Sequence, residues 1–227
     1  MSKAMLKRRR GRTHDERLID RLLLLYAIED LNKRKICPNY VKIQKLIFLS
    51  ERRMLGQRIK GFNYNFIKLD IGPYSDELRH DIELLLNKGL ILYDREIGGF
   101  ILTEKGRALL MKLSNVICEN DDILSIVRSV NEEWGCKSIN ELLDYVYSLK
   151  RPLKGKKVLI RDVPHRTPLL RRMKESRAKK VFKIDTVALE ILTEEVGVEL
   201  LEDILKLSDK IKDAIWRRIS RKNTRGK

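Results

Sequence analysis

Residues 90–103, LILYDREIGGFILT, decide the predicted fold. Two apolar runs, 90–93 and 100–102, flank a turn at Gly98-Gly99, a pattern typical of a β-hairpin. Thr103 follows the second run directly and can cap a helix, because its hydroxyl can accept a hydrogen bond from a free backbone N–H. The stretch therefore predicts a hairpin that leads into a helix.

Three helices are predicted before this hairpin, because apolar residues recur at helical spacing between start and stop signals. Thr13 and Glu16 have the spacing of a capping box at the start of the first helix. Between the second and third helices, the aromatic positions of 62–66 alternate with others, which predicts a half-buried strand that ends at Gly72-Pro73. The three helices run from Thr13 to about Asn32, from Pro38-Asn39 to Gly56, and from Ser75 to Gly89.

The order helix, helix, helix, hairpin, helix is that of a winged helix. The predicted fold class is therefore mainly α with a small β component, built on a winged-helix core whose wing is the hairpin. The strand before the third helix is an insertion into the minimal form. Two further helices, 122–134 and 139–149, should complete the core.

The chain divides by composition into four parts. A basic disordered arm, 1–12, precedes a winged-helix-like domain, 13–149. A basic linker and helix, 150–183, follows, and the helix is predicted from Pro168 to about Phe182. The last part, 184–227, is a C-terminal helical extension.

The net charge of +17 is concentrated in two of these parts. The arm holds six Lys and Arg and no acid, and 150–183 holds 14 against two acids. By contrast, 13–149 holds 20 against 21, and 184–227 holds nine against nine. A concentrated surplus of cations attracts polyanions, so both basic parts are predicted to bind nucleic acid, with DNA favoured over RNA.

The candidate nucleic-acid contacts are the cations of the arm, those of 150–183 and one residue of the third helix. They are Lys7, Arg8, Arg9, Arg10, Arg12, Lys154, Lys156, Lys157, Arg161, Arg166, Arg171, Arg172, Lys174, Arg177, Lys179, Lys180 and Arg79.

The third helix of a winged helix usually enters the major groove. Here its predicted exposed positions include Asp76, Glu77, Asp81 and Glu83 beside Arg79. These carboxylates would repel phosphates on balance. A protein partner at this face is therefore an alternative to direct contact with bases.

The last predicted helix carries an apolar stripe at spacings of three and four. Such a stripe fits a homodimer seam and fits equally well a helix that packs on its own core. The stripe contains Leu201, Ile204, Ile211 and Ile215.

Nothing in the sequence indicates catalysis, a metal site or a cofactor, because the three histidines are far apart and no nucleotide-binding or nucleophile motif is present. Cys37, Cys118 and Cys136 are widely spaced and are predicted to be buried thiols. The chain also lacks a secretory signal and a long apolar run. We therefore expect a cytoplasmic protein that is not an enzyme and has no membrane partner.

Three motifs resemble those of the Panacea, or SocA-like antitoxin, family and its archaeal relatives. They are the runs KLIFLSE at 45–51, DIGPYSDEL at 70–78 and LNKGLI at 86–91. The run ELLDYVY at 141–147 is similar to the last core helix of that family, and the likeness covers roughly residues 15–150. The resemblance implies a helical antitoxin or adaptor domain and assigns no catalytic residue.

Two functional hypotheses follow from the sequence. One is a nucleic-acid-binding transcriptional regulator, in which the winged helix provides placement and the basic parts provide affinity. The other is an antitoxin-like or adaptor protein whose core binds a protein partner. In both, the motif Gly72-Pro73-Tyr74-Ser75 is expected to be a structural joint that aims the third helix, not a ligand site.

Overall fold

A computed structural model describes residues 11–153 and 155–197. These residues are mainly helical with small sheets, as the sequence predicts. The helices are α1 (His14–Lys33), α2 (Tyr40–Gly56), α3 (Asp76–Asn87), α4 (Glu104–Lys112), α5 (Ser114–Glu119), α6 (Asp121–Trp134), α7 (Ile139–Ser148) and α8 (Thr186–Val196).

Side-chain caps explain where most of these helices begin. Thr13 and Ser138 each form a capping box, so that the cap hydroxyl and a glutamate three residues later both accept from backbone N–H groups. Single caps begin α2, α3, α4 and α8, and the residues are Asn39, Ser75, Thr103 and Asp185. The predicted helices within the described residues are confirmed except for the one placed at 168–182, and α5 was not predicted.

Nine short strands form four small sheets in the described part of the chain. They are β1 (Ile59–Lys60), β2 (Phe66–Leu69), β3 (Gly72–Tyr74), β4 (Ile91–Asp94), β5 (Gly99–Leu102), β6 (Lys150–Leu153), β7 (Lys156–Leu159), β8 (Pro168–Leu170) and β9 (Lys180–Val181). β2 pairs antiparallel with β3 and with β8, β4 pairs antiparallel with β5, and β6 pairs antiparallel with β7, whereas β1 and β9 are parallel. The predicted hairpin is confirmed as β4 and β5.

The core is built around α1. The four consecutive leucines 22–25 are all buried, which requires neighbours on every side of that helix. α4, α6, α8 and β5 supply them, while α2 packs on α6 and α7. One continuous apolar cluster therefore includes side chains from 18 to 196.

The predicted half-buried strand at 62–66 is wrong in detail. Residues 61–65 are extended without strand pairing, and the strand β2 begins only at Phe66. Phe62, Asn63 and Tyr64 are all buried, so the alternation of residue types does not correspond to one exposed and one buried face. Asn63 is satisfied inside because its backbone and side-chain N–H groups both donate to Asp20.

The predicted linker and basic helix at 150–183 are also wrong. The chain there forms β6, β7, β8 and β9 with two short 3₁₀ turns, 160–162 and 175–177. In a helix, the many cations of this segment would lie close together and repel one another. In the observed extended chain, which pairs with β1 and β2, the cations are farther apart. Four apolar side chains of the segment join the main core: Ile160, Val163, Leu169 and Phe182.

Two charged residues that were predicted to be exposed are buried. Arg12 donates to Asp20 at 2.8 Å and also pairs with Asp81, so Arg12 belongs to the folded core. Asp81 lies on the inner face of α3 and accepts from Arg21 at 3.0 Å and from the Tyr64 hydroxyl at 2.9 Å. Arg12 is therefore removed from the candidate contacts, and Asp81 from the exposed acidic face.

The cysteine prediction is wrong as well. Cys37 is half-buried, whereas Cys118 and Cys136 are exposed, and all three are free thiols. Among the described residues, no helix is long and apolar enough to cross a membrane. The rest of the arm and the apolar stripe of the last predicted helix lie outside the described residues.

Candidate nucleic-acid interface

The structure gathers four of the predicted contacts into one concavity of about 730 Å³, here called the basic concavity. Five of its seven lining residues carry a guanidinium or an ammonium group, and none carries a carboxylate. The lining residues are Arg171, Arg172, Lys174 and Arg177 from the basic segment, with Arg58, Leu55 and Met173.

A parallel strand pair holds the two sides of the concavity together. β1 follows Arg58 and pairs with β9, in the register Ile59 to Lys180. The backbone N–H of Lys179 donates to the Arg58 carbonyl at 2.7 Å, and the Nε of Arg58 donates to the Arg177 carbonyl at 3.3 Å. The basic segment is therefore fixed against the C-terminal end of α2.

Arg172 anchors the inner side of the concavity. It is half-buried, its guanidinium lies 3.4 Å from a Glu16 carboxylate oxygen, and its backbone N–H points to Asn65 at 3.4 Å. Burial alone would raise the pKa of Glu16, but hydrogen bonds from Lys60 and the Thr13 backbone lower it. Glu16 is thus ionised and holds Arg172 in place.

Arg171, Lys174 and Arg177 differ from Arg172 because their side chains are exposed. A 3₁₀ turn orients them, since the Arg177 N–H donates to the Lys174 carbonyl at 2.9 Å. Arg151 adds positive charge nearby: burial and then the charge of Arg171 lower its pKa. Its Nη1 is buried without a hydrogen-bond partner among the described residues.

The remaining predicted contacts do not line the basic concavity. Lys156 and Lys157 are exposed on β7, and Arg161 and Arg166 are exposed on the turns that follow. Lys179 is exposed beside β9, and Lys180 is paired with Asp122. Five candidates lie outside the described residues: Lys7, Arg8, Arg9, Arg10 and Lys154.

Arg79 lies on a different surface. Its guanidinium pairs with Glu83 at 2.6 Å on the exposed face of α3, so the charge is partly neutralised by its own helix. The neighbouring hairpin β4–β5 exposes the apolar side chains of Leu92, Tyr93 and Ile97. This surface is mixed and partly apolar, in contrast to the basic concavity.

Sequence reasoning missed Arg58, which lines the concavity, and Arg151, which lies near it. Arg58 lies outside both basic parts of the sequence and about 120 residues from Arg177, so only the β1–β9 pairing reveals it. Arg151 lies within the basic segment, but its burial beside Arg171 depends on tertiary packing.

The arrangement suits anion binding and not acid–base chemistry. A guanidinium group can donate two parallel hydrogen bonds to one phosphate. Five cations with no carboxylate in the lining can therefore attract several phosphate groups. No group of three or more His, Cys, Asp or Glu within 11–153 and 155–197 could hold a metal ion. No family model, no curated protein and no solved structure matches the chain.

Proposed function

We propose that the protein binds nucleic acid, with DNA favoured over RNA, as a cytoplasmic winged-helix transcriptional regulator. The observation that carries the proposal is the basic concavity, in which Arg58, Arg171, Arg172, Lys174 and Arg177 share one surface. The winged-helix assignment is supported by the order α1, α2, α3, β4, β5, α4, with β1 to β3 as an insertion.

Phosphate contacts would supply most of the affinity. Each phosphate that a cation neutralises releases a condensed counterion, so binding weakens as salt increases. Such contacts fix the register and orientation of the protein on the nucleic acid, but they do not distinguish one base sequence from another. Because Arg79 is already paired with Glu83, α3 contributes little to this mode of binding.

The test is a triple substitution of the three exposed cations, Arg171→Ala, Lys174→Ala and Arg177→Ala. The control removes the same charge from three exposed lysines that do not line the concavity. In the control, Lys33, Lys112 and Lys137 become alanine; each lies 3.5 to 3.8 Å from a carboxylate. Fluorescence anisotropy would follow binding to duplex DNA and to RNA of equal length.

We expect the concavity variant to lower the slope of log K against log salt by about 2 to 3, since each lost phosphate contact removes about 0.9. The control should retain most of the slope. If the two variants weaken binding equally, only net charge matters and the concavity is not the site. Absence of binding by the unaltered protein at about 50 mM salt would contradict the function itself.

The second candidate function is that of an antitoxin-like or adaptor protein. The observation in its favour is the apolar surface of the hairpin β4–β5, where Leu92, Tyr93 and Ile97 are 41 to 60% exposed. Exposed apolar clusters beside polar residues are typical of protein-binding surfaces. Under this alternative, Leu92→Ser with Ile97→Ser would abolish partner binding, whereas the concavity variant would not.

A further inference from the structure

A second cavity, of about 620 Å³, lies on another part of the molecule and is here called the Lys45 pocket. It is formed by the first turns of α2, the hairpin β2–β3 and the exposed side of α3. Its surface is mostly apolar, with Tyr40, Val41, Leu69 and Ile71 among the residues that line it.

Lys45 is the unusual residue of this pocket. Only 3% of its surface is exposed, although lysine is almost never buried without a partner. Its ammonium donates to the Pro73 carbonyl at 2.8 Å, and no carboxylate of the described residues pairs with it. An ammonium carries three N–H donors, so this single acceptor leaves hydrogen-bonding capacity unused.

The Pro73 carbonyl, which accepts from the Lys45 ammonium, lies beside a hydrogen-bonded junction. Gln44 accepts from the Ser75 N–H at 2.9 Å and donates to the Ser75 carbonyl at 3.0 Å, which locks the junction of β3 and α3. Gly72 and Tyr74, the neighbours of Pro73, both line the pocket. Lys45 itself is also one of the residues that line the pocket.

Among the described residues, no carboxylate forms an ion pair with Lys45. Burial, and then the positive charge of Lys68, lower its pKa to about 8. Lys45 is therefore mostly protonated at neutral pH, and its burial costs free energy that an added anion would recover. Ile71, at the pocket, is 53% exposed, which is apolar surface that a ligand could cover.

We propose that the Lys45 pocket binds a small monocarboxylate with an apolar body. The carboxylate accepts hydrogen bonds from the Lys45 ammonium, and the body lies against Tyr40, Val41, Leu69 and Ile71. A phosphate or a dianion fits less well, because Asp70 and Glu83 also line the pocket, and its second cation, Arg79, is already paired with Glu83. This site is separate from the basic concavity and gives part of the motif Gly72-Pro73-Tyr74-Ser75 a role beyond that of a structural joint.

The experiment uses octanoate and octanamide as probes, because they share a body and differ in charge. Isothermal titration calorimetry with the full chain would measure each affinity. The test variant is Lys45→Met, and the matched control is Lys42→Met, which alters a half-buried lysine of the same helix that donates to a carbonyl, that of Gly135, at 2.9 Å. Ile71→Asp, at an exposed position, adds a variant in which the fold is not at risk.

Octanoate should bind with one-to-one stoichiometry and at least about tenfold more tightly than octanamide, as expected for one charge-assisted hydrogen bond. Lys45→Met and Ile71→Asp should each weaken octanoate binding about tenfold or more, while Lys42→Met leaves it unchanged. The proposal is overturned if octanoate shows no saturable binding, if octanamide binds equally well, or if Ile71→Asp has no effect.

Discussion

Glu51 shows how burial alters a single residue. It lies on α2 with 1% of its surface exposed, and neither carboxyl oxygen has a hydrogen-bond partner among the described residues. Burial, and then the charges of Asp20 and Glu77, raise its pKa well above 4.5. Glu51 therefore keeps its proton to a higher pH in the folded protein than in the unfolded chain.

This raised pKa predicts a pH dependence of stability. The folded state holds the Glu51 proton more tightly than the unfolded state. The contribution of Glu51 to the free energy of unfolding is therefore greatest below pH 4.5 and decreases as pH rises towards the pKa of the folded state. The loss is about 1.4 kcal/mol per pH unit within that window. Glu51→Gln should remove this contribution, so that the variant gains stability relative to the unaltered protein as pH increases.

Urea denaturation at several pH values would measure the difference. Asp20 has a pKa raised to about 7 by burial and adds a slope of the same sign in both proteins. Glu190→Gln, at an exposed position on α8, is the control and should leave the pH profile unchanged. A parallel pH profile for Glu51→Gln would show that Glu51 is ionised in the folded state.

Single buried charges were the least predictable features of the sequence. Arg12 follows a run of cations and resembles the rest of that run, yet it pairs with Asp20 and Asp81. Asp81 occupies a helix position beside other acids, yet it alone of the acidic residues on α3 is buried. Asp81 lies 69 residues from Arg12 and 60 residues from Arg21, so local patterns contain no information about these pairs.

At the scale of elements, the junction of β4 and α4 is closely packed. The Leu90 carbonyl accepts from the backbone and hydroxyl of Thr103 at 3.1 and 3.0 Å. A Cβ at Gly106 would lie 2.3 Å from that same carbonyl oxygen. Gly106 is therefore required by the approach of the helix to the strand.

Gly106→Ala should destabilise the protein by about 2 kcal/mol, because overlap with a backbone atom exceeds the gain of about 1 kcal/mol in helix propensity. Gly56→Ala is the matched control: Gly56 is the last residue of α2, and a Cβ there would meet nothing within 4 Å. That change should be neutral or stabilising by about 0.5 kcal/mol. Thermal denaturation of both variants would measure the two effects. Equal changes in melting temperature would contradict the prediction that Gly106 is required by close packing.

Elements defined by local signals were predicted well. The predicted caps Thr13, Ser75 and Thr103 are all observed, because a cap and the backbone N–H that donates to it lie within three residues of each other. The strands β8 and β9 were missed because their partners are β2 and β1, roughly 100 residues away. Four members of the basic concavity were named from composition, but their arrangement depends on those pairings.

At the scale of the whole molecule, the segment 150–183 is part of the core and not an appendage. Its four buried side chains, Ile160, Val163, Leu169 and Phe182, contribute about 1.5 to 3 kcal/mol each. The sum is comparable with the total stability of a typical domain, about 5 to 15 kcal/mol. We therefore expect residues 13–149 to depend on this segment for their stability.

A fragment that ends at residue 149 should unfold at a much lower temperature than the full chain, or fail to fold cooperatively. Circular dichroism during heating would measure this. The control is the triple substitution at Arg171, Lys174 and Arg177, which changes the charge of the segment without removing its apolar residues. If the fragment melts at the same temperature as the full chain, the core contribution of the segment is negligible.

The parallel pairing of β1 with β9 also orders events during synthesis. Chains fold progressively as they leave the ribosome, and Arg58 emerges long before Arg177. Until β9 has emerged, the growing chain lacks the strand pairing that holds the second side of the basic concavity. The basic concavity is therefore completed only after residues 171–177 and β9 have been synthesised.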